Sequence, residues 1–167
     1  MNLLLTDRSI QLEPVREEHL PAMRAIYGST RKEELSRVPH WSEEMKTAFI
    51  DQQFCAQHTY YRENYKGAEF LAIRKDNAII GRLYLDRDFG GREIRIIDIA
   101  LLPAWRNKGI GTGILEDLKR EAENRQRPLS IHVESFNPAK KLYEKLGFRM
   151  VSETNGVYHL MEWRSLI

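Results

Sequence analysis

The segment that most constrains the fold of this chain joins an apolar strand to a long amphipathic helix. The stretch Glu93–Leu102 is rich in isoleucine, and it predicts a strand that ends at Pro103. A helix is predicted to begin near Gly109 and to run to about Asn124. Its buried stripe is predicted from apolar residues at helical spacing, namely Ile110, Ile114, Leu115, Leu118 and Ala122. A strand that leads through a loop into a covering helix is a building unit of α/β domains.

Patterns along the rest of the chain predict the element order β-α-α-β-β-β-α-β-α-β-β. The strands are expected at Ser9–Val15, Glu69–Arg74, Ala78–Asp86, Glu93–Leu102, Leu129–Glu134, Phe148–Glu153 and Val157–Trp163. The helices are expected at about Arg16–Tyr27, Ser42–Asn64, Gly109–Asn124 and Asn137–Leu146. The stretch Arg31–Trp41 has no clear assignment. Hairpin turns and crossover helices both occur, so the fold class is α/β (α+β) with a mixed sheet.

Capping residues mark the ends of two helices. Ser42 is predicted to cap the second helix. Asn137 is expected to cap the last helix, with Pro138 in its first turn and Gly147 just beyond its end. The apolar side of the second helix is assigned to Met45, Phe49, Ala56 and Tyr60.

Length and composition fit one globular domain over residues 1–167. Hydrophobic residues make up 42% and charged residues 30%, with a net charge of +2. This near-neutral balance gives no bulk argument for a nucleic-acid or membrane partner. Cys55 is the only cysteine, which excludes an internal disulfide and a cysteine-based metal site. Because the apolar run Leu3–Leu5 is too short for a signal peptide or membrane span, we expect a cytoplasmic protein.

The turn Arg106–Thr112 is the strongest candidate for a ligand site. The start of a helix exposes unpaired N–H groups at the positive end of its dipole, which suits a diphosphate. Gly109 and Gly111 carry no Cβ, so that a ligand can approach the backbone. Arg106 and Lys108 add positive charge, and neither has an evident packing role.

Two other phosphate-binding motifs fit this turn poorly. In a Walker A loop the lysine follows the glycines, whereas here Lys108 precedes Gly109. A dinucleotide-binding fingerprint needs a third glycine three positions after the second, and here Gly113 follows Gly111 by two. A nucleotide-binding protein of either kind is therefore disfavoured.

Two motifs together resemble the GNAT superfamily of N-acetyltransferases. The run Arg106-Asn107-Lys108-Gly109-Ile110-Gly111 is similar to that family's Arg/Gln-x-x-Gly-x-Gly/Ala signature, and Asn137–Phe148 is similar to its second hallmark. The similarity is strong from about Asp86 to Phe148, and Val157–Trp163 fits the family's last strand. It is only architectural over about the first 66 residues.

The resemblance implies acetyl-CoA as co-substrate and no metal. The pantetheine arm would pair with the backbone of Ile99, Ala100 and Leu101, on a strand edge that a bulge often leaves unpaired. The diphosphate would contact Arg106, Asn107, Lys108, Gly109, Ile110, Gly111 and Thr112. Asn137 and Ala139 match positions near the thiol end, and Tyr143 matches the family's proton donor to the leaving thiolate.

The chemistry implied by the family is direct attack of a neutral amine on the thioester. A backbone N–H near Leu101 would polarise the carbonyl, and Tyr143 would supply the proton. Asp98, Glu134 and Asp86 are the candidate bases, either directly or through ordered water.

Each candidate also has an ordinary structural explanation. Alternation along the strand places Asp98 with Ile94, Ile96 and Ala100 if no bulge intervenes, and a salt bridge to an arginine is its favoured role. Glu134 can be a capping or solvated residue, and His132 a strand-surface residue. Tyr143 can be a boundary residue whose hydroxyl lies in water.

The function expected from the two motifs is N-acetylation of a small-molecule amine. The alternatives are a non-catalytic acyl-CoA-binding regulatory module and an acetyltransferase of protein N-termini or lysines. In the family the acceptor pocket comes from Tyr27–Lys66 and the final hairpin, where Trp41, Tyr60 and Tyr61 can be either pocket or core residues. A homodimer is possible, because dimers are common in the family.

Overall fold

A computed structural model describes residues 3–166 as seven strands and five helices. The strands are β1 Ile10–Pro14, β2 Glu69–Lys75, β3 Ala78–Phe89, β4 Glu93–Leu101, β5 Leu129–Glu134, β6 Arg149–Thr154 and β7 Tyr158–Trp163. The helices are α1 Leu20–Thr30, α2 Lys32–Leu35, α3 Glu43–Asn64, α4 Ile110–Asn124 and α5 Ala139–Lys145. The strands form one sheet in the order β1-β2-β3-β4-β5-β7-β6.

The sheet is mixed, as the sequence predicts. The β4–β5 pair is parallel and every other neighbouring pair is antiparallel. Its hairpins turn at residues with positive φ, Asp76 (51°) with Asn77 (65°) and Asn155 (53°) with Gly156 (68°). The α/β class and the predicted order are confirmed, with one addition. The short helix α2 lies in the stretch that had no assignment.

Helices cover both faces of the sheet. On one face, all five residues of the predicted α4 stripe are buried. They belong to a core cluster that also contains Tyr143 and Phe148. On the other face, Met23 and Ile26 of α1 pack with Ile50 and Phe54 of α3. None of the helices within residues 3–166 is long and apolar enough to cross a membrane.

The predicted apolar side of α3 is wrong. Ile50 and Phe54 are its buried residues, whereas Met45 and Tyr60 are 49% and 55% exposed. An offset of one residue turns a helix face by about 100°. Apolar residues lie on several sides of this helix, so that their spacing alone could not select the side that packs on α1 and the sheet.

The caps that position α3 and α5 follow the sequence. The Ser42 hydroxyl accepts a hydrogen bond from the Met45 N–H at 3.1 Å. The Asn137 side chain accepts one from the Ala139 N–H at 2.9 Å, at the start of α5. Gly147 ends that helix with φ of +94°, a conformation that glycine adopts without strain.

A β-bulge in β4 reverses the side-chain alternation of that strand. Ile96 pairs with Leu85 and Asp98 pairs with Tyr84, so that Ile97 is the extra residue. Asp98 therefore lies on the face of Tyr84, and not with Ile94 and Ile96 as unbroken alternation predicts. Ala100 moves with Asp98, because it packs against the α1–α3 side.

Candidate active site

The parallel strands β4 and β5 separate halfway along their length. They pair from Ile94 with Leu129 to Ile96 with Ile131, and the pairing stops there. Both strands nevertheless continue, β4 to Leu101 and β5 to Glu134. Among the described residues, no strand pairs with this side of β4 beyond Ile96. The sheet therefore has an opening that begins at the bulge.

Backbone groups of alternate residues line this open edge. The Leu102 N–H donates to the Ile80 carbonyl at 2.8 Å, so the polar groups of Leu102 and Ala100 point toward β3. Those of Ile99 and Leu101 consequently point into the opening. The Leu101 carbonyl accepts a hydrogen bond from the Arg106 side chain at 2.9 Å. The N–H groups of Ile99 and Leu101 and the Ile99 carbonyl remain directed at the opening.

The turn after β4 ends at the start of α4. A single 3₁₀ turn at Pro103–Trp105 is followed by Asn107 with φ of 60° and Gly109 with φ of 83°. The first helical hydrogen bond runs from the Gly113 N–H to the Gly109 carbonyl at 2.9 Å. The N–H groups of Ile110, Gly111 and Thr112 precede that bond and have no partner within the helix. They form a cradle for an anion.

The glycines of this turn are not explained by packing alone. A Cβ at Gly109 or Gly113 would meet no atom within 4 Å, and one at Gly111 would lie 3.8 Å from Leu101 Cδ1, an ordinary contact. Gly109 needs its positive φ, but the two glycines inside α4 do not. A helical glycine costs about 0.5–1 kcal/mol relative to alanine. Close approach of a phosphate to the backbone would account for the glycine at position 111, which lies in the first turn of α4.

The basic side chains of the turn do have packing partners, contrary to expectation. Arg106 reaches the Leu101 carbonyl and also donates to the Ser29 hydroxyl at 3.2 Å. The Lys108 ammonium lies 5.5 Å from the centre of the Trp105 ring. Both side chains stay exposed, so that they still place positive charge beside the helix start.

A cleft of about 990 Å³ lies between the open edge of β4 and the helices α1, α2 and α3. Several of the expected site residues line it: Asp98, Ile99, Ala100, Glu134, Asn137 and Tyr143. Leu101, the turn Arg106–Thr112 and Ala139 do not. Tyr60 and Tyr61 also line the cleft, whereas Trp41 packs against Phe49 with ring centres 5.7 Å apart.

Tyr143 lies at the inner end of the cleft on the short helix α5. It is 4% exposed and packs against Phe148, with ring centres 5.9 Å apart. Burial raises the pKa of its hydroxyl, and the negative charge of Asp98 raises it further. The phenol is therefore protonated at neutral pH and lies near Asp98. Its environment is not that of a boundary residue in water.

Asp98 forms the predicted salt bridge, and its partner is Arg82 of β3. The Arg82 Nε donates to the Asp98 carboxylate. Arg82 is 2% exposed, and its Nη2 donates to the Gln57 side chain of α3 at 2.8 Å. The Asp98 side chain is 26% exposed and lines the cleft. Asp98 therefore both forms an ion pair and lines the cleft.

The other two carboxylates differ in position. Glu134 ends β5 in the cleft, and its charge acts on Arg31 of the helical wall. Its carbonyl accepts the Asn137 N–H at 3.0 Å, which holds the start of α5. Asp86 does not line the cleft, and its carboxylate accepts the Asp88 N–H at 3.0 Å. The structure therefore separates Asp86 from Asp98 and Glu134.

Arg82 and Gln57 are cleft residues that the sequence analysis did not single out. His132 is an exposed residue of β5, as interpreted, and it also lies in the cleft beside Tyr158, with ring centres 5.3 Å apart. Burial lowers its pKa, and Arg95 lowers it further. The one available signal was an arginine within the apolar strand Ala78–Leu85. Within residues 3–166, no three His, Cys, Asp or Glu side chains are grouped to hold a metal ion.

The sheet opens between two parallel strands and a glycine turn starts the next helix, which is the class of fold that the resemblance to the GNAT superfamily implies. The chain belongs to the GNAT acetyltransferase family, since the model of the acetyltransferase (GNAT) domain matches residues 37–161. A curated relative, an N-alpha-acetyltransferase of Saccharolobus solfataricus, is 32% identical over 105 residues. That match covers 55% of this chain and 63% of the relative, less than two thirds of its length.

Solved structures share the fold over nearly the whole chain. The PaiA N-acetyltransferase of Thermoplasma acidophilum, in complex with coenzyme A, has a TM-score of 0.65 at 21% identity and covers 94% of this chain and 99% of its own. An acetyltransferase of Thermus thermophilus has a TM-score of 0.66 at 18% identity, covering 99% and 100%. A GNAT acetyltransferase of Elizabethkingia anophelis with acetyl-CoA bound has a TM-score of 0.57 at 21% identity, covering 95% and 100%.

Proposed function

We propose that residues 1–167 form one N-acetyltransferase domain that transfers the acetyl group of acetyl-CoA to a primary amine by direct attack. One observation carries the proposal: the open edge of β4 leads from the anion cradle of α4 to a cleft that holds Tyr143 and Asp98. A diphosphate, an extended arm and a reacting thioester need these three features in this order. Positioning both reactants in one cleft is itself a large part of catalysis.

Acetyl-CoA would bind mainly through backbone groups. The N–H groups of Ile110, Gly111 and Thr112 suit the diphosphate, and the groups of Ile99 and Leu101 suit the amides of the pantetheine arm. The CoA and acetyl-CoA complexes of two structural neighbours support this choice of ligand. The full set proposed to contact it is Ile99, Ala100, Leu101, Arg106, Asn107, Lys108, Gly109, Ile110, Gly111, Thr112, Asn137, Ala139 and Tyr143.

Two groups would stabilise the charges that develop during attack. The Ile99 N–H, rather than that of Leu101, points into the opening where β4 lines the cleft, and it would donate to the thioester carbonyl as negative charge builds on its oxygen. Tyr143 would donate to the leaving sulfur. An ordinary thiol has a pKa of about 8.5, below that of a phenol whose pKa is raised by burial. Tyr143 therefore stabilises the thiolate by hydrogen bonding rather than by giving up its proton completely.

The attacking amine must lose a proton, and two carboxylates are proposed to receive it. Asp98 is the first, because it lines the cleft near Tyr143 and its carboxylate is held by an ion pair with the Arg82 guanidinium. Glu134, at the end of β5, is the second, and water can connect it to the amine. These roles make Tyr143, Asp98 and Glu134 the proposed catalytic residues.

The acceptor proposed here is a small amine carried on an apolar or aromatic group. The arginines of the cleft already have acidic partners: Arg31 with Glu34 at 3.0 Å, Arg37 with Glu33 at 4.0 Å, and Arg82 with Asp98. They are poorly placed to bind an acceptor carboxylate. Exposed aromatic side chains lie on the cleft walls at Tyr60, Phe136 and Tyr158.

A second candidate acceptor is the N-terminal amine of a peptide or protein. The N-alpha-acetyltransferase relative favours it by name, and the cleft volume of about 990 Å³ leaves room for more than a small amine. The two candidates share the CoA site and the chemistry. They differ in whether carbonyl groups next to the amine improve turnover.

The direct test is thiol release from acetyl-CoA with tyramine, spermidine, L-leucine and a tetrapeptide with a free N-terminus. We expect tyramine to have the highest kcat/KM, and a preference for the tetrapeptide would favour the second candidate. CoA binding in calorimetry without turnover of any primary amine would instead support a regulatory acyl-CoA-binding module. Absence of CoA binding would contradict the proposal as a whole.

A further inference from the structure

Arg82 is a buried cation whose position is not explained by strand pairing alone. It lies in the middle of β3 and is 2% exposed. A charge removed from water is unfavourable unless partners compensate it, and an ion pair of this kind can often be replaced by apolar residues without loss of stability. Strands β3 and β4 pair on both sides of Arg82, from Gly81 to Leu85, so the ion pair is not required to join them.

The surroundings of Arg82 are built to hold its guanidinium in one orientation. Its cross-strand partners, Ala72 and Ala100, are small and leave room for the long side chain. The guanidinium lies 4.9 Å from the ring centre of Tyr84 and 5.7 Å from that of Tyr27. Nη1 is buried and has no hydrogen-bond partner within the described part of the chain.

Two hydrogen bonds connect this guanidinium to the cleft. Its Nε donates to Asp98, and its Nη2 donates to the Gln57 carbonyl oxygen at 2.8 Å. Gln57 and Asp98 both line the cleft. Without Arg82, the Asp98 carboxylate would lose this contact and would be free to rotate away. The bulge at Ile97 selects the face of Asp98, and Arg82 fixes its direction on that face.

We propose that Arg82 and Gln57 are positioning residues: Gln57 orients the guanidinium, which holds the Asp98 carboxylate toward the bound amine. This assignment rests on the proposed function, because it requires that Asp98 act on the acceptor. Arg82 is 2% exposed, and its proposed part in the reaction is to act through Asp98. The alternative is that the ion pair merely stabilises the fold.

A double-mutant cycle separates these two explanations. The variants are Arg82→Met, Asp98→Asn and the double variant, measured with acetyl-CoA and the amine of the panel that is turned over fastest. We expect each single variant to lower kcat by about 10²-fold, the usual contribution of a positioned proton acceptor. The double variant is expected to match Asp98→Asn within about threefold, because residues that act as one unit are not additive.

Two further measurements exclude a purely structural effect. The affinity for CoA in calorimetry is expected to stay within about twofold of the wild type in every variant, because the ion pair is remote from the proposed diphosphate cradle. Arg82→Lys is expected to restore part of kcat, since it retains the charge but loses the second hydrogen bond. If Arg82→Met does not fold, Gln57→Ala tests the positioning role instead. We expect this variant to lower kcat by about three- to tenfold in the wild type and to have no further effect in Asp98→Asn.

Each contrary result has a separate meaning. If Arg82→Met or Gln57→Ala lowered kcat by the same factor in the wild type and in Asp98→Asn, the positioning role would be overturned. A parallel fall in CoA affinity would also overturn it. Full activity of Asp98→Asn would overturn it too, while leaving acetyl transfer itself intact. Only failure of the wild-type protein to acetylate any amine would refute the proposed function, and this assignment with it.

Discussion

The two walls of the cleft are built by different means. The proposed CoA wall consists of the β4 edge at residues 97–101, continued outside the cleft by the turn Arg106–Thr112, and it presents mainly backbone N–H and carbonyl groups. The acceptor wall consists of the cleft-lining residues of α1, α2 and α3, and it presents side chains. Backbone groups are the same in every sequence, so a backbone site depends on conformation. A site made of side chains depends on which amino acids line it, so its specificity can change while the fold stays constant.

The largest expected effect is on the CoA wall. Gly111→Asp would place a negative side chain where the diphosphate is proposed to bind. Loss of two charge-assisted hydrogen bonds predicts a fall in CoA affinity of about 10³-fold, measured by calorimetry. Stability is expected to be unchanged or slightly higher, because an acidic residue is favourable in the first helical turn. Gly113→Ala is the control, and equal loss in both variants would contradict the backbone cradle.

A smaller effect is expected where the two walls meet. Tyr143→Phe removes the proposed hydrogen bond to the leaving sulfur but keeps the ring that packs on Phe148. We expect kcat to fall by about 10²-fold with little change in CoA affinity. Stopped-flow or steady-state thiol release measures the rate. Wild-type kcat in this variant would remove Tyr143 from the mechanism without excluding catalysis.

A change on the acceptor wall is expected to alter substrate binding alone. Tyr60→Ala removes an exposed aromatic ring from the cleft and should raise KM for tyramine by about three- to tenfold, with CoA affinity unchanged. Met45→Ala is the matched control, because Met45 is similarly exposed on α3 but does not line the cleft. If both variants behave alike, the aromatic wall does not select the acceptor.

The smallest expected effect concerns two histidines, His58 of α3 and His132 of β5. Burial lowers the pKa of His58, with Arg62 and Arg82 contributing, and burial followed by Arg95 lowers that of His132. The unfolded chain then binds more protons, so the stabilising contribution is present above the ordinary histidine pKa of about 6.5 and declines as pH falls below it.

Thermal unfolding at pH 7 and pH 5 measures this contribution. Replacing either histidine by glutamine should reduce the pH-dependent fall in Tm by only about 1–2 °C, because neither imidazole is fully buried and solvent screens its charge. A larger pH dependence in either variant would contradict the direction of the shift.

The same contrast between the walls explains what the sequence predicted. The turn, the α4 stripe and the cap of α5 are encoded by glycine, asparagine and apolar spacing, which act locally. The prediction for the buried side of α3 was wrong. Apolar residues lie on several sides of this helix, and packing against α1 selects the side that is buried. The ion pair of Asp98 was predictable, but its partner Arg82 was not. Register between strands, including the extra residue Ile97, depends on contacts distant in the sequence.

The extra residue in β4 makes both substrates depend on one backbone position. Up to Ile96, the even-numbered residues of β4 face the α4 side of the sheet. After Ile97, the odd-numbered residues face that side. If Ile97 paired as a regular strand residue, the alternation would be unbroken: Asp98 would turn toward the interior beneath α4, and β4 could continue beside β5. Coenzyme docking and amine contact would then fail together. Both walls of the site thus depend on the backbone conformation at Ile97, an apolar residue whose side chain takes no part in the proposed reaction.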